Sequence, residues 1–468
     1  MQKASQKTSV KLISLGCAKN LVDSEVMLGG LARNQFEIRK SEENADIGIV
    51  NTCGFIDASK EESINTILEL AKEKKTGKLK YLVVAGCLSQ RYIEKLPKLL
   101  PEVDAFLGSG DFQNLPHVLE EKLKGKRQKN FVHAPNETLR YDLPRLHSTP
   151  FYTRYLKISE GCSHRCSFCT IPIMRGGTVR SRPIDDIFHE ISRGVQEGVK
   201  EFNFIAQDLN EYGRDLGQRT SLYALLDKLS SINGEVWMRL LYMYPLQFPD
   251  KLIALIKNHP HVCKYVDIPL QHIDDRILKS MNRGSSSHYI YRLLENLRKA
   301  MPAMALRTTF IVGYPGETEK EFEKLLSFVK EMRFDRLGAF TYSHEEDTPS
   351  FSIKKQIPQK IKEERRDILM KAQQQISLEN NRKKIGSSLK VLFEGDEYQA
   401  DVFDPQNYFG VGRHEGQAPE IDGQVFIKKT NVLSPKVGDW LHVKINEAKD
   451  YDLVGEIIGS SSEKSFMV

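Results

Sequence analysis

What the chain lacks narrows it first. No apolar run approaches the length needed to cross a bilayer, so no membrane-spanning helix is expected. There is no even disulfide framework of the kind that staples short secreted chains; the seven cysteines are expected as free thiols in a reducing, cytoplasmic setting. Leu15-Gly16-Cys17 has the outline of a lipoprotein cleavage site. The apolar run before it, Val10 to Leu15, is however interrupted by Lys11 and Ser14 and is too short for a signal segment. No phosphate-binding P-loop and no Ser/His/Asp triad signature is present. The net charge of +6 is mild, and 468 residues suffice for two or three domains.

What is present is an unusual distribution of cysteine. Cys162, Cys166 and Cys169 form C-x3-C-x2-C within Glu160-Gly161-Cys162-Ser163-His164-Arg165-Cys166-Ser167-Phe168-Cys169. Three thiolates on one short loop can hold three irons of a cubic iron–sulfur cluster and leave the fourth open to a substrate or cofactor. The competing reading is a zinc loop. Zinc sites pair such a motif with a second cysteine pair or with two histidines, and no second pair follows. His164 lies inside the loop, where it is poorly placed to share the metal. A closed electron-transfer cluster and a zinc-bearing RNA-binding scaffold remain as rival classes.

A second trio is dispersed. Cys17, Cys53 and Cys87 stand 36 and 34 residues apart, each at the end of a short apolar run: Leu12 to Gly16, Ile47 to Thr52 and Leu82 to Gly86. This pattern predicts three parallel strands of an α/β domain, whose carboxyl ends converge on one crevice and bring the cysteines together. Ordinary buried cysteines are the alternative for any one of them. Cys263, in the strand-like run His261 to Val266, is expected to be core.

The organisation is α/β in three parts. Residues 8–125 repeat strand–helix units; Lys122 to Pro150, polar, basic and punctuated by three prolines, is expected to be a linker. Residues 148–384 carry six strand signals separated by helices, which predicts a partial (β/α)6 barrel. Pro358 to Lys384 is expected as one charged helix. Residues 386–460 turn to short β-runs punctuated by Gly and Asp, expected as a small antiparallel barrel of about five strands.

These motifs together resemble the methylthiotransferase family of radical S-adenosylmethionine enzymes: an N-terminal cluster domain, a radical SAM core and a C-terminal TRAM domain. The resemblance covers nearly the whole chain and rests on Gly16-Cys17, Asn51-Thr52-Cys53, Gly86-Cys87, the C-x3-C-x2-C loop and Thr309 to Thr318. It implies two [4Fe-4S] clusters, one on Cys162, Cys166 and Cys169 that binds S-adenosyl-L-methionine, the other on Cys17, Cys53 and Cys87 that delivers sulfur. It implies an external electron donor, such as a flavodoxin or ferredoxin, whose identity the sequence leaves open. It also suggests cofactor contacts from Phe168, Gln207, Gly313, Gly316 and Glu317, with no catalytic residue beyond the cluster ligands. For Gly313 and Gly316 a tight turn, and for Glu317 a helix cap, remain open. Gln271 and His272 follow a strand end near the expected cavity.

Two branches of that family compete. One thiomethylates an adenosine of transfer RNA; the other converts a β-carbon C–H bond of an aspartate in small-ribosomal-subunit protein twelve to C–S–CH3. Ile171 to Gly176, Leu337 to Pro349 and Ala418 to Gly423 resemble the protein-modifying branch, with Asp347 in place of that branch's usual Gly. Charge adds an independent argument. From Ser387 to Val468 there are eight Lys/Arg against fourteen Asp/Glu, a balance of −6. An acidic barrel suits a basic protein and makes RNA binding unlikely, because phosphate neutralisation supplies most RNA affinity. Glu345-Glu346-Asp347 is read as a further acidic docking feature.

Overall fold

The computed structural model describes residues 7–217, 219–246, 248–395, 407–429 and 434–460. The first sheet has β1 (Ser9–Ser14), β2 (Glu37–Arg39), β3 (Ile47–Thr52), β4 (Tyr81–Gly86), β5 (Ala105–Leu107) and β6 (Asn130–Phe131) in the order β2-β1-β3-β4-β5-β6. All neighbours are parallel. Every residue of β3 is buried, as expected where helices cover both faces of a parallel sheet. The helices that matter to the site are α1 (Ala18–Arg33), α2 (Asp57–Lys75) and α3 (Cys87–Tyr92).

The core domain begins with β7 (Thr153–Lys157), followed by a two-stranded pair, β8 (Ser159–Glu160) and β9 (Arg180–Ser181), which brackets the cysteine loop. Then come β10 (Glu201–Ile205), β11 (Trp237–Leu240), β12 (Val262–Gln271), β13 (Ala305–Val312) and β14 (Arg336–Thr341). With β7 they form one open parallel sheet of six strands, β7-β10-β11-β12-β13-β14. This is the partial barrel expected from the six strand signals. Its interior is aliphatic and aromatic, with Phe202, Phe204, Phe310 and Phe328 at 1% exposure or less.

The helix Gln359–Arg382 packs against β14 and leads into β15 (Ser388–Gly395), β16 (Tyr408–His414), β17 (Val425–Lys428), β18 (Trp440–Ala448) and β19 (Leu453–Ser460). These five strands close into a barrel. Four pairings are antiparallel; β17 and β19 pair parallel, because β19 inserts between β17 and β18 to complete the closure.

The expected linker is not a free spacer. Arg145 pairs with Glu25 on α1 at 2.6 Å and with Glu190 at 3.0 Å, and Ser148 donates to Glu25 from its backbone and its hydroxyl. A Cβ at Gly29 would lie 2.4 Å from the Pro144 carbonyl, so the segment is seated against α1. At the other end, Glu201, the first residue of β10, accepts from Arg239 at 2.8 Å and from Arg413 of β16 at 2.5 Å, and Trp237 meets Trp440 edge-on at 4.6 Å. The C-terminal barrel is thus fixed to the amino-terminal ends of β10 and β11, while the cysteine loops leave from carboxyl ends.

Candidate active site: two cysteine trios on one cavity

The dispersed trio assembles through strand order. β1, β3 and β4 are adjacent, with Ser14 opposite Asn51 and Thr52 opposite Gly86. Cys17 immediately precedes α1, Cys53 follows β3 and Cys87 opens α3, so all three leave the same edge of the sheet. Gly16 and Gly86 make the approach possible. Both hold positive φ, +89° and +96°, and a Cβ on Gly16 would sit 2.8 Å from the Cys53 Cβ. Asn20 and Asn51 tie the loops together. The Asn20 amide donates to the carbonyls of Leu15 and Thr52, each at 2.9 Å, and the Asn51 amide donates to the Asn20 carbonyl at 2.9 Å.

Cys162, Cys166 and Cys169 come from the loop after β8, and both trios line one cavity of about 410 Å³. Its walls include Phe55, Phe168, Tyr242, Met243, Tyr244 and Phe340, with Gln207, Gln271 and Thr309 among the polar groups. Tyr242 and Gln271 carry positive φ, 66° and 72°, at the ends of β11 and β12. Backbone strain of this kind in non-glycine residues concentrates at functional sites.

Charges from both domains meet between the trios. Arg175, 3% exposed, donates to Asp23 of α1 at 2.6 Å and to Glu160 at 3.3 Å, and also reaches Asn20. Lys157 donates to Glu160 at 2.6 Å and to Asp23. Burial would raise the Glu160 carboxyl, but Lys157 and Arg175 outweigh it and hold it down at about 2. Gln207 donates its amide to the same carboxylate. On the other side of α3, Glu345, 1% exposed, accepts from Lys60 and Arg91, each at 2.7 Å, and Glu346 pairs with Lys95 at 3.3 Å. Glu345 and Glu346, read from the sequence as an acidic docking feature, are therefore engaged within the chain, joining the core to the N-terminal domain.

The thiols are not equivalent. Burial pushes Cys87, Cys162 and Cys169 each up to about 12, and raises Cys53. Cys17 opens onto the cavity. Enclosure by protein would raise it, but Lys19, Arg175 and the backbone N–H groups of Asn20 and Lys19 hold it below the ordinary thiol range. Thiols pushed so high are poor free nucleophiles and need a bound metal to become thiolates. Among the described residues, Cys162, His164 and Glu211 alone place three donor atoms within 4.8 Å of one another. Neither cysteine trio is therefore drawn together as round a single zinc ion, whose bond length of about 2.3 Å sets sulfurs roughly 3.8 Å apart. His164 and Glu211 are already engaged: His164 pairs with Asp208 at 2.7 Å and stacks on Tyr244, while Glu211 accepts from Ser163 and Arg214. Wide trios of soft donors with cations beside them fit anionic iron–sulfur clusters better than zinc.

Of the remaining residues singled out in the sequence, Phe168, Gln207 and Gln271 line the cavity. Gly313, Gly316 and Glu317 do not. Glu317 accepts from the N–H groups of Gly313 and Tyr314, at 2.6 and 3.1 Å, and pairs with Arg365 at 3.1 Å. A Cβ on Gly313 would collide with Lys362 at 2.4 Å, so this turn serves to seat the long C-terminal helix. His272 is buried, its Nδ1 accepting from the Asp274 N–H. Cys263 is core, 1% exposed. Lys19, Asn20, Arg175, Tyr242, Tyr244 and Arg283 were not foreseen; Lys19-Asn20 directly behind Cys17 and Arg175 six residues behind Cys169 were the available signals.

Comparison with known proteins accords with this geometry. Residues 9–108 match the uncharacterized protein family UPF0004, 156–329 the radical SAM superfamily and 385–458 the TRAM domain. The ribosomal protein uS12 methylthiotransferase RimO of Geobacter sulfurreducens is 48% identical over 452 residues, 97% of this chain and 99% of that protein. The chain belongs to the RimO family. The RimO protein of Heliobacterium modesticaldum is 46% identical over 454 residues, covering 97% of this chain and 96% of that one. Among solved structures, the radical S-adenosylmethionine methyltransferase TsrM from Kitasatospora setae superposes with a TM-score of 0.56 at 13% identity, covering 74% of each chain. The cobalamin-dependent radical enzyme OxsB gives 0.51 at 12% identity over 78% of this chain and 56% of that one. These two share the fold; the RimO relatives align over nearly the whole of this chain.

Proposed function

We propose that this chain is a radical SAM methylthiotransferase that converts a β-carbon C–H bond of an aspartate in small-ribosomal-subunit protein uS12 to C–S–CH3. The observation that carries this reading is the meeting of both cysteine trios on one cavity, in a chain that aligns end to end with RimO proteins. Cys162, Cys166 and Cys169 would hold one [4Fe-4S] cluster with an iron left for S-adenosyl-L-methionine, and Cys17, Cys53 and Cys87 the other. Bound there, the cofactors supply a radical able to take an unactivated hydrogen, the sulfur atom and a methyl group.

The chain's own residues prepare the setting. Phe168 offers an aromatic face beside Cys169 for the adenine. Gln207, held by Glu160, is a polar contact at the end of β10. Phe55, Tyr242, Tyr244 and Phe340 keep the cavity walls apolar, which limits water beside a reactive carbon. Arg175 and Lys157, through Asp23 and Glu160, fix the N-terminal domain against the core and so set the separation of the two trios.

The basic protein uS12 is favoured over RNA as substrate by the −6 balance beyond Ser387. Some of those acids face inward: Glu394 pairs with Arg413, and Asp422 accepts from Tyr265 and lies 3.8 Å from Arg307. Asp396, Glu397, Asp401, Asp404 and Glu463 lie outside the described residues. The electron donor is proposed as a flavodoxin or ferredoxin. No helix among the described residues is long and apolar enough to cross a membrane. A cytoplasmic location is part of the proposal. Competition tests the substrate: the reconstituted enzyme is given uS12 and unmodified transfer RNA together, and both are analysed by mass spectrometry. A methylthio group on the protein is expected; one on the RNA alone would move the chain to the RNA-modifying branch.

A further inference from the structure

Four cations line the cysteine cavity, and they differ in what neutralises them. Arg175 has Asp23 and Glu160. Arg307 has Asp267 at 2.8 Å and Asp422 at 3.8 Å. Arg283 lies over the Tyr244 ring at 4.0 Å, with its guanidinium donating to the Pro269 carbonyl at 2.5 Å and to the Cys166 sulfur at 3.5 Å. Lys19 is different. It is 8% exposed, lines the cavity, and among the described residues has no carboxylate within ion-pair distance. Its contact is the face of Tyr242, with Nζ 3.5 Å from the ring centroid.

A buried ammonium without a counter-ion is costly, and a tyrosine face offsets only part of that cost. Lys19 also sits in the first turn of the sixteen-residue α1, where the helix dipole favours a negative group. A cluster on Cys17 would supply part of the missing charge, but among the described residues Nζ donates no hydrogen bond, and Lys19 lines the cavity, where it can receive an oxygen anion that arrives from outside the chain. Its position narrows which anion. Arg283 stands beside Cys166, at the trio proposed for S-adenosylmethionine, whereas Lys19 stands two residues from Cys17, at the trio proposed to deliver sulfur.

We infer that Lys19 Nζ binds the side-chain carboxylate of the aspartate to be modified. This rests on the proposed function, in which the substrate residue is an aspartate. In that side chain the carboxylate carbon is bonded directly to the β-carbon. Pinning the carboxylate on Lys19 therefore sets the reacting carbon one bond away, on the Cys17 side of the cavity. The same contact gives specificity, since an adenosine base carries no carboxylate and an amide carries no charge.

A carboxylate at Lys19 has two sources, the substrate aspartate and the methionyl carboxylate of S-adenosylmethionine, and binding measurements separate them. Dissociation constants are measured for the reconstituted enzyme with uS12, with uS12 carrying Asn at the target aspartate, and with S-adenosylmethionine. Iron content is determined on each sample. The wild type is expected to prefer the aspartate form by on the order of 30-fold, the factor that follows from about 2 kcal/mol for a desolvated charge pair. Lys19→Met is expected to abolish that preference with iron retained, and Lys19→Arg to restore most of it. A Lys19→Met enzyme that keeps the preference overturns the assignment. So does one that loses affinity for S-adenosylmethionine while still preferring the aspartate form, or one that loses iron with the preference intact. If the wild type places no methylthio group on uS12 at all, the proposed function falls and the Lys19 assignment with it. If it does so without preferring the aspartate form, the Lys19 assignment falls alone.

Discussion

The two cysteine trios reach the same cavity by opposite routes. Cys162, Cys166 and Cys169 are neighbours in the chain, so their meeting follows from one loop held between β8 and β9. Cys17, Cys53 and Cys87 are neighbours only because β1, β3 and β4 lie side by side, and they depend on glycine turns, two asparagines and a docked second domain. A loop-borne site is robust to small movements of the fold. A sheet-borne site is as good as the sheet's register and the interface beside it. On the proposed function the difference also divides the labour: the self-contained loop would hold the S-adenosylmethionine cluster, and the assembled trio would deliver sulfur.

The largest expected effect separates the trios outright. Changing Cys162, Cys166 and Cys169 together to Ala should abolish S-adenosylmethionine cleavage, read as 5′-deoxyadenosine, and leave about half the iron. Retained cleavage would mean that the loop is not the cofactor site.

The next is aimed at the interface on which the sheet-borne trio relies. Arg175→Met leaves Asp23 and Glu160 with Lys157 as their remaining cation. A loss of roughly 3–5 kcal/mol in chemical denaturation is expected, the range for a broken buried ion network. Iron should be lost mainly from the dispersed trio, because Arg175 is the cation shared by Cys17, Cys53 and Cys87. Glu345→Gln should act in the same direction more gently, at about 2 kcal/mol, by weakening the hold on Lys60 and Arg91. Methylthiolation should fall more than S-adenosylmethionine cleavage; an equal fall in both would argue that the two domains need no fixed spacing. The smallest effect is expected at Cys263, which belongs to neither trio. Cys263→Ala should cost about 1 kcal/mol and leave iron content and turnover unchanged.

The same contrast explains what could be read from the sequence. The loop motif is covalent information and needed no fold. The dispersed trio was legible because each cysteine ends a β-branched run, and alternating strand and helix signals imply parallel strands; the observed β1, β3 and β4 end within three residues of those cysteines. The six core strands and five barrel strands were legible for the same periodic reason. What was not legible depends on docking. Lys157 and Arg175 meet Asp23 across more than 130 positions, and no local pattern announces a partner at that range. Glu345 and Glu346 looked like a surface patch because charge alone does not say which way it faces. Lys122 to Pro150 looked like a spacer because its polarity and prolines hide the fact that Arg145 and Ser148 are ligated by Glu25. Gly313, Gly316 and Glu317 were grouped with the cofactor because a glycine turn that seats a helix has the same sequence as one that admits a ligand.

The most direct test of the central claim, that two trios serve one cavity with different tasks, is a single incubation of the Cys17→Ala, Cys53→Ala, Cys87→Ala enzyme with reductant, S-adenosylmethionine and uS12. Mass spectrometry reads the protein and chromatography reads 5′-deoxyadenosine. The expected result is 5′-deoxyadenosine with no methylthio group on uS12. Methylthiolated uS12 from that enzyme would contradict the claim, and would leave the assembled trio without a function.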